Sequence, residues 1–136
     1  MNSNKSTLVM IKPDAPKRGL VSRIMREITG KGFTVTEVGS ACFSLDIIQN
    51  FYRWEVIQCP EVVNEYLCGK KIPLWIIQGI NPVNDIMEIK LRLRKTLCRG
   101  DHRNLMHCSS SYENFTWEYQ VLNKNNMISI HLKDLV

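Results

Sequence analysis

Alternating and helix-spaced apolar residues divide the first third of the chain into a strand, a helix and a second strand. Residues 6–11 (STLVMI) form a short run of β-formers that ends at Lys12, because the proline after Lys12 disfavours regular continuation. Residues 18–33 have apolar side chains at every fourth position, followed by glycines, which predicts an amphipathic helix with its stop signal. Residues 33–45 alternate and predict a second strand.

The middle of the chain contains two predicted helices, a buried strand and one segment that fits two patterns. Residues 45–56 and 60–67 predict helices, and the apolar run at residues 72–77 predicts a strand covered on both faces. Residues 84–95 fit either an edge strand, from the alternation in IKLRLR, or a helix with an apolar stripe.

A short strand at residues 105–108 and a helix from Ser111 complete the pattern. The order is β-α-β-(αα)-β-α-β-α. It predicts an α+β fold with a ferredoxin-like split βαβ arrangement, in which helices cover a four-stranded antiparallel sheet. We expect one domain over residues 1–136, with about 123–136 as a C-terminal extension. The MISIHL segment in that extension suits an added strand or an interface.

The net charge of +5 is concentrated in one segment. Residues 90–103 contain six Lys and Arg residues against Asp101 alone, so the rest of the chain sums to zero. A basic cluster in a neutral body indicates a discrete anionic ligand, with a merely solvated basic face as the alternative.

Cysteine spacing and apolar run lengths argue against two other classes of protein. The five cysteines are scattered without a CxxC pair, which favours free thiols in a reducing cytosol over disulfides or a zinc site. No apolar run approaches membrane length, and the N-terminal stretch is too short for a signal peptide. We therefore expect a cytoplasmic protein with no membrane partner.

Two motifs resemble the nucleoside diphosphate kinase family. The stretch STLVMIKPDAPKRGLVSRIM is similar to the start of that family, and CRGD followed by RNLMHCSS is similar to its RGD segment and its N-x-x-H-[GA]-S-D signature. The match is strong over residues 6–36 and 96–121 and weak over 43–95. The resemblance implies a phosphotransferase that moves the γ-phosphate of a nucleoside triphosphate to a nucleoside diphosphate by a ping-pong mechanism through a phosphohistidine.

The resemblance implies that His107 is the nucleophile. Glu118 stands at the offset of the glutamate that orients the imidazole, and Ser109 matches the serine that supports both. A lone histidine is by default structural or exposed, but these matched offsets argue against that default for His107. His102 and His131 lack such neighbours and are expected to be incidental.

Four further residues match nucleotide-binding positions of the family. Lys12 matches the lysine that contacts the phosphates and sugar, and Arg99 matches an arginine whose planar fork suits paired phosphate oxygens. Asn104 matches the asparagine that meets the ribose. Tyr52 stands where the family has an active-site tyrosine.

The chain departs from the family at its second phosphate-binding arginine. Counting from Gly79 places Met87 at that position, so Arg92 or Arg94 could substitute for the lost arginine only if the helix or its exit has shifted. The phenylalanine that covers the base has no clear match, and Trp54 and Val63 are the residues that could approach it.

The metal environment also differs, because Ser110 replaces an aspartate that helps to hold magnesium. Magnesium is therefore expected to be carried with the nucleotide, with no metal-ligating residue of the protein. Cys108 replaces a small residue beside the histidine. The segments around RGD are shorter than in typical members, where they join subunits into hexamers, so we expect a homodimer.

Three functions fit these observations. The first is an active nucleoside diphosphate kinase with nucleoside di- and triphosphates as partners. The second is a nucleotide-binding scaffold of weak or no activity, favoured by Ser110 and the lost arginine. The third, which we consider the least favoured, is a nucleic-acid-binding module that uses residues 90–103 and binds less tightly as salt rises.

Overall fold

The computed structural model describes residues 5–52 and 60–135 of the chain. The elements are β1 (Ser6–Ile11), α1 (Asp14–Lys17), α2 (Val21–Thr29), β2 (Thr34–Ala41), α3 (Leu45–Phe51), α4 (Pro60–Leu67), β3 (Ile72–Gln78), α5 (Pro82–Leu97), β4 (Met106–Cys108), α6 (Tyr112–Lys124) and a 3₁₀ turn (Leu132–Asp134).

The four strands form one sheet in the order β2-β3-β1-β4, with every neighbouring pair antiparallel. β1 and β2 therefore run parallel with β3 between them, and β3 and β4 run parallel with β1 between them. This is the split βαβ arrangement of a ferredoxin-like fold, and the predicted fold class is confirmed. β1 and β3 are central and covered on both faces, which explains why their sequences are almost continuously apolar.

The pleat of the sheet sends alternate side chains into two separate cores. Leu8, Met10, Leu74 and Ile76 pack with α3, α4 and α6 on one face, which we call the α6 face. Val9, Ile11, Trp75 and Ile77 pack with α2 and α5 on the other, which we call the α5 face.

The ambiguous segment is a helix. Pro82 opens α5 at its first turn, where a proline is tolerated, and Ile86, Ile89 and Leu93 are buried against the sheet. Leu91 is 56% exposed, as a residue on the outer side of that helix must be. The strand alternative for residues 84–95 is wrong because the apolar stripe at three- and four-residue spacing determines the packing.

α3 and α6 begin with capping serines, since Ser44 accepts a hydrogen bond from the Ile47 amide and Ser111 from the Asn114 amide. The helix predicted over residues 45–56 ends at Phe51, and residues 53–56 lie outside the described part of the chain. The four cysteines within that part, Cys42, Cys68, Cys98 and Cys108, form no disulfide with one another, and Cys59 lies outside it.

The C-terminal segment packs along the edge strand β2. The amides of Ser129 and Ile130 donate to the Val38 carbonyl, and Ile128 forms a single bridge with Gly39. A Cβ atom at Gly39 would stand 2.0 Å from the Met127 carbonyl oxygen, so only glycine allows this approach. The added-strand alternative for MISIHL thus amounts to one bridge, followed by the 3₁₀ turn.

Candidate active site

Strand β4 directs His107 toward the α6 face. His107 pairs in register with Met10, whose side chain belongs to the core on that face. Its neighbours Met106 and Cys108 belong to the core on the α5 face, because successive side chains of a strand point to opposite sides. His107 is 4% exposed, so its ring sits in the interior rather than on the surface.

His107 has a carboxylate partner on α6. Its Nε2 atom lies 3.0 Å from Oε2 of Glu118, and Ser109 Oγ donates to the other carboxylate oxygen, Oε1, at 2.6 Å. Glu118 is 2% exposed and occupies the same buried stripe of α6 as Phe115 and Val121. A carboxylate in an apolar stripe is costly unless it is hydrogen-bonded, and both of its oxygens are used here.

Two aromatic side chains at the end of α3 pack edge-on against the histidine. The ring centroid of Phe51 lies 5.4 Å from that of His107, and the centroid of Tyr52 lies 5.1 Å away at an interplanar angle of 88°. Together with the Glu118 contact, these rings fix the plane of the imidazole. The structure therefore places Tyr52 against His107.

Lys12, Asn104 and Arg94 converge beside the start of β4. Lys12 Nζ donates to Oδ1 of Asn104 at 2.7 Å, although the two residues are 92 positions apart in the chain. Arg94 Nη2 reaches the same oxygen at 3.3 Å. Two cations thus share one amide oxygen. Lys12 is 7% exposed, and its amide donates to the Leu105 carbonyl, which ties the end of β1 to this turn.

The residue between Asn104 and β4 adopts a left-handed backbone. Leu105 has φ 75° and is fully buried, and the Met106 amide donates across it to the Asn104 carbonyl at 2.9 Å. Such a conformation costs an L-residue about 1–2 kcal/mol. Asp14 offsets part of this cost, since its Oδ2 accepts the Leu105 amide at 3.0 Å.

Tyr66 of α4 holds Asp14 in place. Its hydroxyl donates to Asp14 Oδ1 and accepts the Asp14 amide, each at 2.7 Å. Burial, together with the hydrogen bond to the Asp14 carboxylate, raises the pKa of Tyr66 above its usual value. The phenol therefore stays a donor over the whole working pH range.

Arg99 stands apart from this group, at the exposed end of the basic segment. It lines a cleft of about 410 Å³ between α1 and the end of α5. The other lining residues are Asp14, Lys17, Arg18, Leu97, Cys98, Asp101 and Arg103. Asp14 is thus the link between the Arg99 cleft and the turn that precedes β4.

Arg92 and Arg94, the two candidates for the lost arginine, point in different directions. Arg92 is exposed and forms an ion pair with Glu27 of α2 at 2.6 Å. That contact turns Arg92 toward α2 rather than toward Lys12 and Asn104, so of the two alternatives for the lost arginine the structure does not favour Arg92. The structure joins Arg94 to them.

Comparison with known proteins finds sequence similarity to nucleoside diphosphate kinases. The family model for nucleoside diphosphate kinases matches residues 5–69. A nucleoside diphosphate kinase from Thermosipho melanesiensis is 24% identical over 148 residues, covering 95% of this chain and 95% of that protein. One from Drosophila melanogaster is 27% identical over 126 residues, covering 83% and 82%.

Solved structures with this fold come from the same family. A nucleoside diphosphate kinase from Aquifex aeolicus superposes with a TM-score of 0.73 at 20% identity, covering 91% of this chain and 98% of that chain. A family protein from Babesia bovis gives 0.70 at 18% identity, covering 91% of each chain. The chain is thus similar to nucleoside diphosphate kinases both in sequence and in fold. The site described above is its candidate active site.

The structure shows where two departures from the family signature, Cys108 and Met87, lie. Cys108 is buried on the α5 face, where its Sγ lies 3.5 Å from Sδ of Met87. Met87, which the count from Gly79 aligns with the family's arginine, thereby packs against the apolar layer. The bulk of Cys108 is on the side of β4 opposite to His107.

Ser110 is exposed and accepts a hydrogen bond from the Asn114 side chain. The described residues contain no group of three His, Cys, Asp or Glu side chains placed to hold a metal ion. Within the described part of the chain, position 110 thus offers a neutral hydroxyl where the resemblance implies an aspartate.

Trp54 lies outside the described residues, and Val63 packs against the core of the α6 face. His102 stacks edge-on against Tyr66, with ring centroids 4.8 Å apart. None of the helices in residues 5–52 and 60–135 is long and apolar enough to cross a membrane.

Asp14, Tyr66 and Phe51 are site residues that sequence reasoning missed. Asp14 lay inside the IKPDA motif without an assigned role, and a buried acid beside a strand end is a signal that could have found it. Tyr66 is 52 positions from Asp14, and no local pattern connects the two.

Proposed function

We propose that the protein is a nucleoside diphosphate kinase that transfers the γ-phosphate between nucleotides through a phosphohistidine on His107. The single observation that carries the proposal is the buried chain from Ser109 to Glu118 to His107. An ion pair on the surface does not require burial. A nucleophilic histidine requires a fixed ring orientation and a fixed tautomer, and the buried contact with Glu118 suits both requirements for His107.

The contacts suggest which ring nitrogen reacts. With Glu118 as a carboxylate, its Oε2 can only accept, so the proton lies on Nε2 of His107. The lone pair is then on Nδ1. Attack by Nδ1 on the γ-phosphorus forms an N–P bond and breaks the bond to the β-γ bridging oxygen, so the nucleoside diphosphate leaves. A second nucleoside diphosphate takes the phosphoryl group in the reverse step.

The cationic residues suit the second requirement of phosphoryl transfer, which is to stabilise negative charge on the phosphates. We propose that Lys12 and Arg99 contact the phosphates, that Asn104 contacts the ribose and that Tyr52 lines the site. Magnesium would enter as part of the nucleotide substrate, since the residues around Ser110 offer no site for it.

We also propose that residues 1–136 act as one such domain and that the protein is a cytoplasmic homodimer. Light scattering on the purified chain tests the dimer: a mass near twice 15.8 kDa supports it, and a hexamer or a monomer contradicts it.

A nucleotide-binding scaffold without turnover is the second candidate. Met87 in the apolar layer and Ser110 in place of an acid remove one cation and one carboxylate from the family's arrangement. Binding on Lys12 and Asn104 could survive these losses while transfer does not.

The nucleic-acid alternative finds less support in the structure. Arg92 pairs with Glu27, Arg94 turns inward to Asn104, and Arg103 pairs with Asp101 at 2.6 Å. The basic segment is thereby divided among three neighbourhoods, whereas a nucleic acid would need a connected basic surface.

Incubation with γ-labelled ATP and magnesium tests the proposal. We expect acid-labile label on the wild type and on His131→Ala, and its release on addition of GDP as labelled GTP. His107→Ala and the better-sized His107→Gln should carry no label. Label that persists in both His107 variants contradicts the mechanism. ADP binding without any label on the wild type supports the scaffold.

A further inference from the structure

Three other segments of the chain contact the Asn104–Met106 turn, through Lys12 after β1, Asp14 in α1 and Arg94 in α5. Of these residues, Arg94 makes the most hydrogen bonds to the turn. Arg94 Nε donates to the Asn104 carbonyl at 3.1 Å, and Nη2 donates to the Met106 carbonyl at 2.6 Å and to Asn104 Oδ1 at 3.3 Å. One guanidinium thus holds the backbone on both sides of Leu105 and the side chain of Asn104 as well.

Only a planar, multi-donor group can make this set of contacts. The guanidinium presents its N–H groups in a fixed fork, whereas a lysine offers one compact ammonium. Arg94 is half-buried, so its contacts are less screened than those of the exposed Arg92. The carbonyls of Asn104 and Met106 would lose these charge-assisted bonds if a lysine stood there.

Arg94 lies on the same face of α5 as Met87, because seven residues make nearly two turns. Met87 contacts Cys108 at one end of β4, and Arg94 contacts Met106 at the other. Helix α5 therefore contacts both ends of β4 through these two residues. Met87 carries no charge. The positive charge on this face of α5 lies two turns later, at Arg94 beside Asn104.

We propose that Arg94 is a positioning residue for the nucleotide site: it fixes Asn104, and through Asn104 Oδ1 it fixes the ammonium of Lys12. The consequence for catalysis rests on the proposed function. The set of hydrogen bonds from Arg94 to the Asn104–Met106 turn, which we call the brace, is a property of the fold. Arg94 acts through Asn104 and Lys12 and does not have to touch the nucleotide. It differs in this from Arg99, whose cleft is open.

Arg94→Ala and Arg94→Lys test the brace, with Lys95→Ala as the control that removes a charge from an exposed neighbour on the same helix. Three quantities are measured on each folded variant: the hydrogen-exchange rate of the Met106 amide by NMR, the Kd for ADP by calorimetry, and the kcat and KM for nucleotide. Guanidinium chloride at millimolar concentration is then added to Arg94→Ala.

We expect both Arg94 variants to raise the Met106 exchange rate and the Kd for ADP by about tenfold or more, since the lost bonds are charge-assisted. KM should rise more than kcat falls, and guanidinium should restore part of the affinity of Arg94→Ala. Lys95→Ala should stay within about twofold of the wild type in every quantity.

Two results would overturn the brace. One is a folded Arg94→Ala or Arg94→Lys with wild-type exchange at Met106 and wild-type ADP affinity. The other is a lowered Tm with unchanged ADP affinity, which would make Arg94 merely structural. A wild type that never becomes labelled by ATP rejects the kinase, while faster Met106 exchange and weaker ADP binding in the variants would still support the brace.

Discussion

The two halves of the site, one catalytic and one cationic, are assembled from different kinds of structure. The residues that we propose as catalytic (His107, Ser109 and Glu118, called the catalytic group) lie on β4, just after it, and on α6, and each is at most 4% exposed. The cationic group (Lys12, Arg94 and Arg99) comes from the ends of β1 and α5 and from the segment after α5. Lys12 is 7% exposed, Arg94 is half-buried and Arg99 is exposed.

This difference follows from what each half has to do. A nucleophile must be held at one angle and in one tautomer, so it is placed on regular elements whose hydrogen bonds are internal. The cations of the other half stand where a strand or a helix ends. In the proposed function Lys12 and Arg99 contact the phosphates, while Arg94 holds Asn104 in place.

The largest effect is expected from Glu118→Gln, which removes the charge that fixes the His107 tautomer. We expect kcat to fall by about 10²- to 10⁴-fold, with little change in KM. Glu113→Gln, an exposed substitution in the first turn of the same helix, is the matched control and should leave kcat unchanged. Steady-state kinetics measures kcat and KM for both variants. A near-normal kcat in Glu118→Gln would contradict the role proposed for Glu118 in the catalytic group.

Tyr66→Phe should act on stability more than on chemistry. It deprives Asp14 of a donor to Oδ1 and leaves the Asp14 amide without its acceptor, so the free energy of unfolding should fall by roughly 1–3 kcal/mol. Urea unfolding measures this change. Tyr119→Phe, which removes the acceptor for the Leu132 amide in the C-terminal segment, is a control for loss of a tyrosine hydroxyl elsewhere. Its ADP affinity should equal that of the wild type, whereas Tyr66→Phe should bind ADP more weakly.

Arg92→Ala sharpens the cationic half of the comparison. The Arg92 guanidinium lowers the pKa of Glu27 below its usual range, chiefly through their hydrogen bond, and that is the contact the substitution removes. We expect the Glu27 pKa to return toward its usual value and KM for nucleotide to remain within about twofold of the wild type. A KM increase as large as that of Arg94→Ala would place both arginines in the site.

The smallest effect concerns pH and the loop that carries Arg103. The Arg103 side chain and amide hold the pKa of Asp101 down to about 2. Because this folded pKa is below the unfolded value of about 3.9, the pair contributes stability above that value, and the contribution is lost as pH falls toward 2. Arg103→Ala should raise the Asp101 pKa in an NMR titration and should flatten this part of the stability profile. An unchanged Asp101 pKa would show that the pair does not form in solution.

The grouping of His107, Ser109 and Glu118 was predicted from the family resemblance, and the structure brings the three side chains together. Ser109 and Glu118 stand two and eleven residues after His107, and one strand and one capped helix fix their relation. The helical form of α5 was less evident, because the alternation in IKLRLR competes with the apolar stripe until the sheet is present to bury one face.

The cationic group was harder to predict because its contacts join distant parts of the chain. Lys12 and Asn104 meet only when β1 and β4 pair, and Tyr66 reaches Asp14 only when α4 packs over the end of β1. The choice between Arg92 and Arg94 depends on the rotation of α5 about its axis. A difference of two residues turns one side chain to Glu27 and the other to Asn104.

The most direct test of the central claim is ³¹P and ¹⁵N NMR of the protein after reaction with magnesium ATP, which identifies the phosphorylated atom. The Glu118 contact at Nε2 predicts a single phosphohistidine, at His107, with phosphorus on Nδ1. Adding GDP should remove that signal and yield GTP. Phosphorus on Nε2 of His107, or on another residue, would contradict the account.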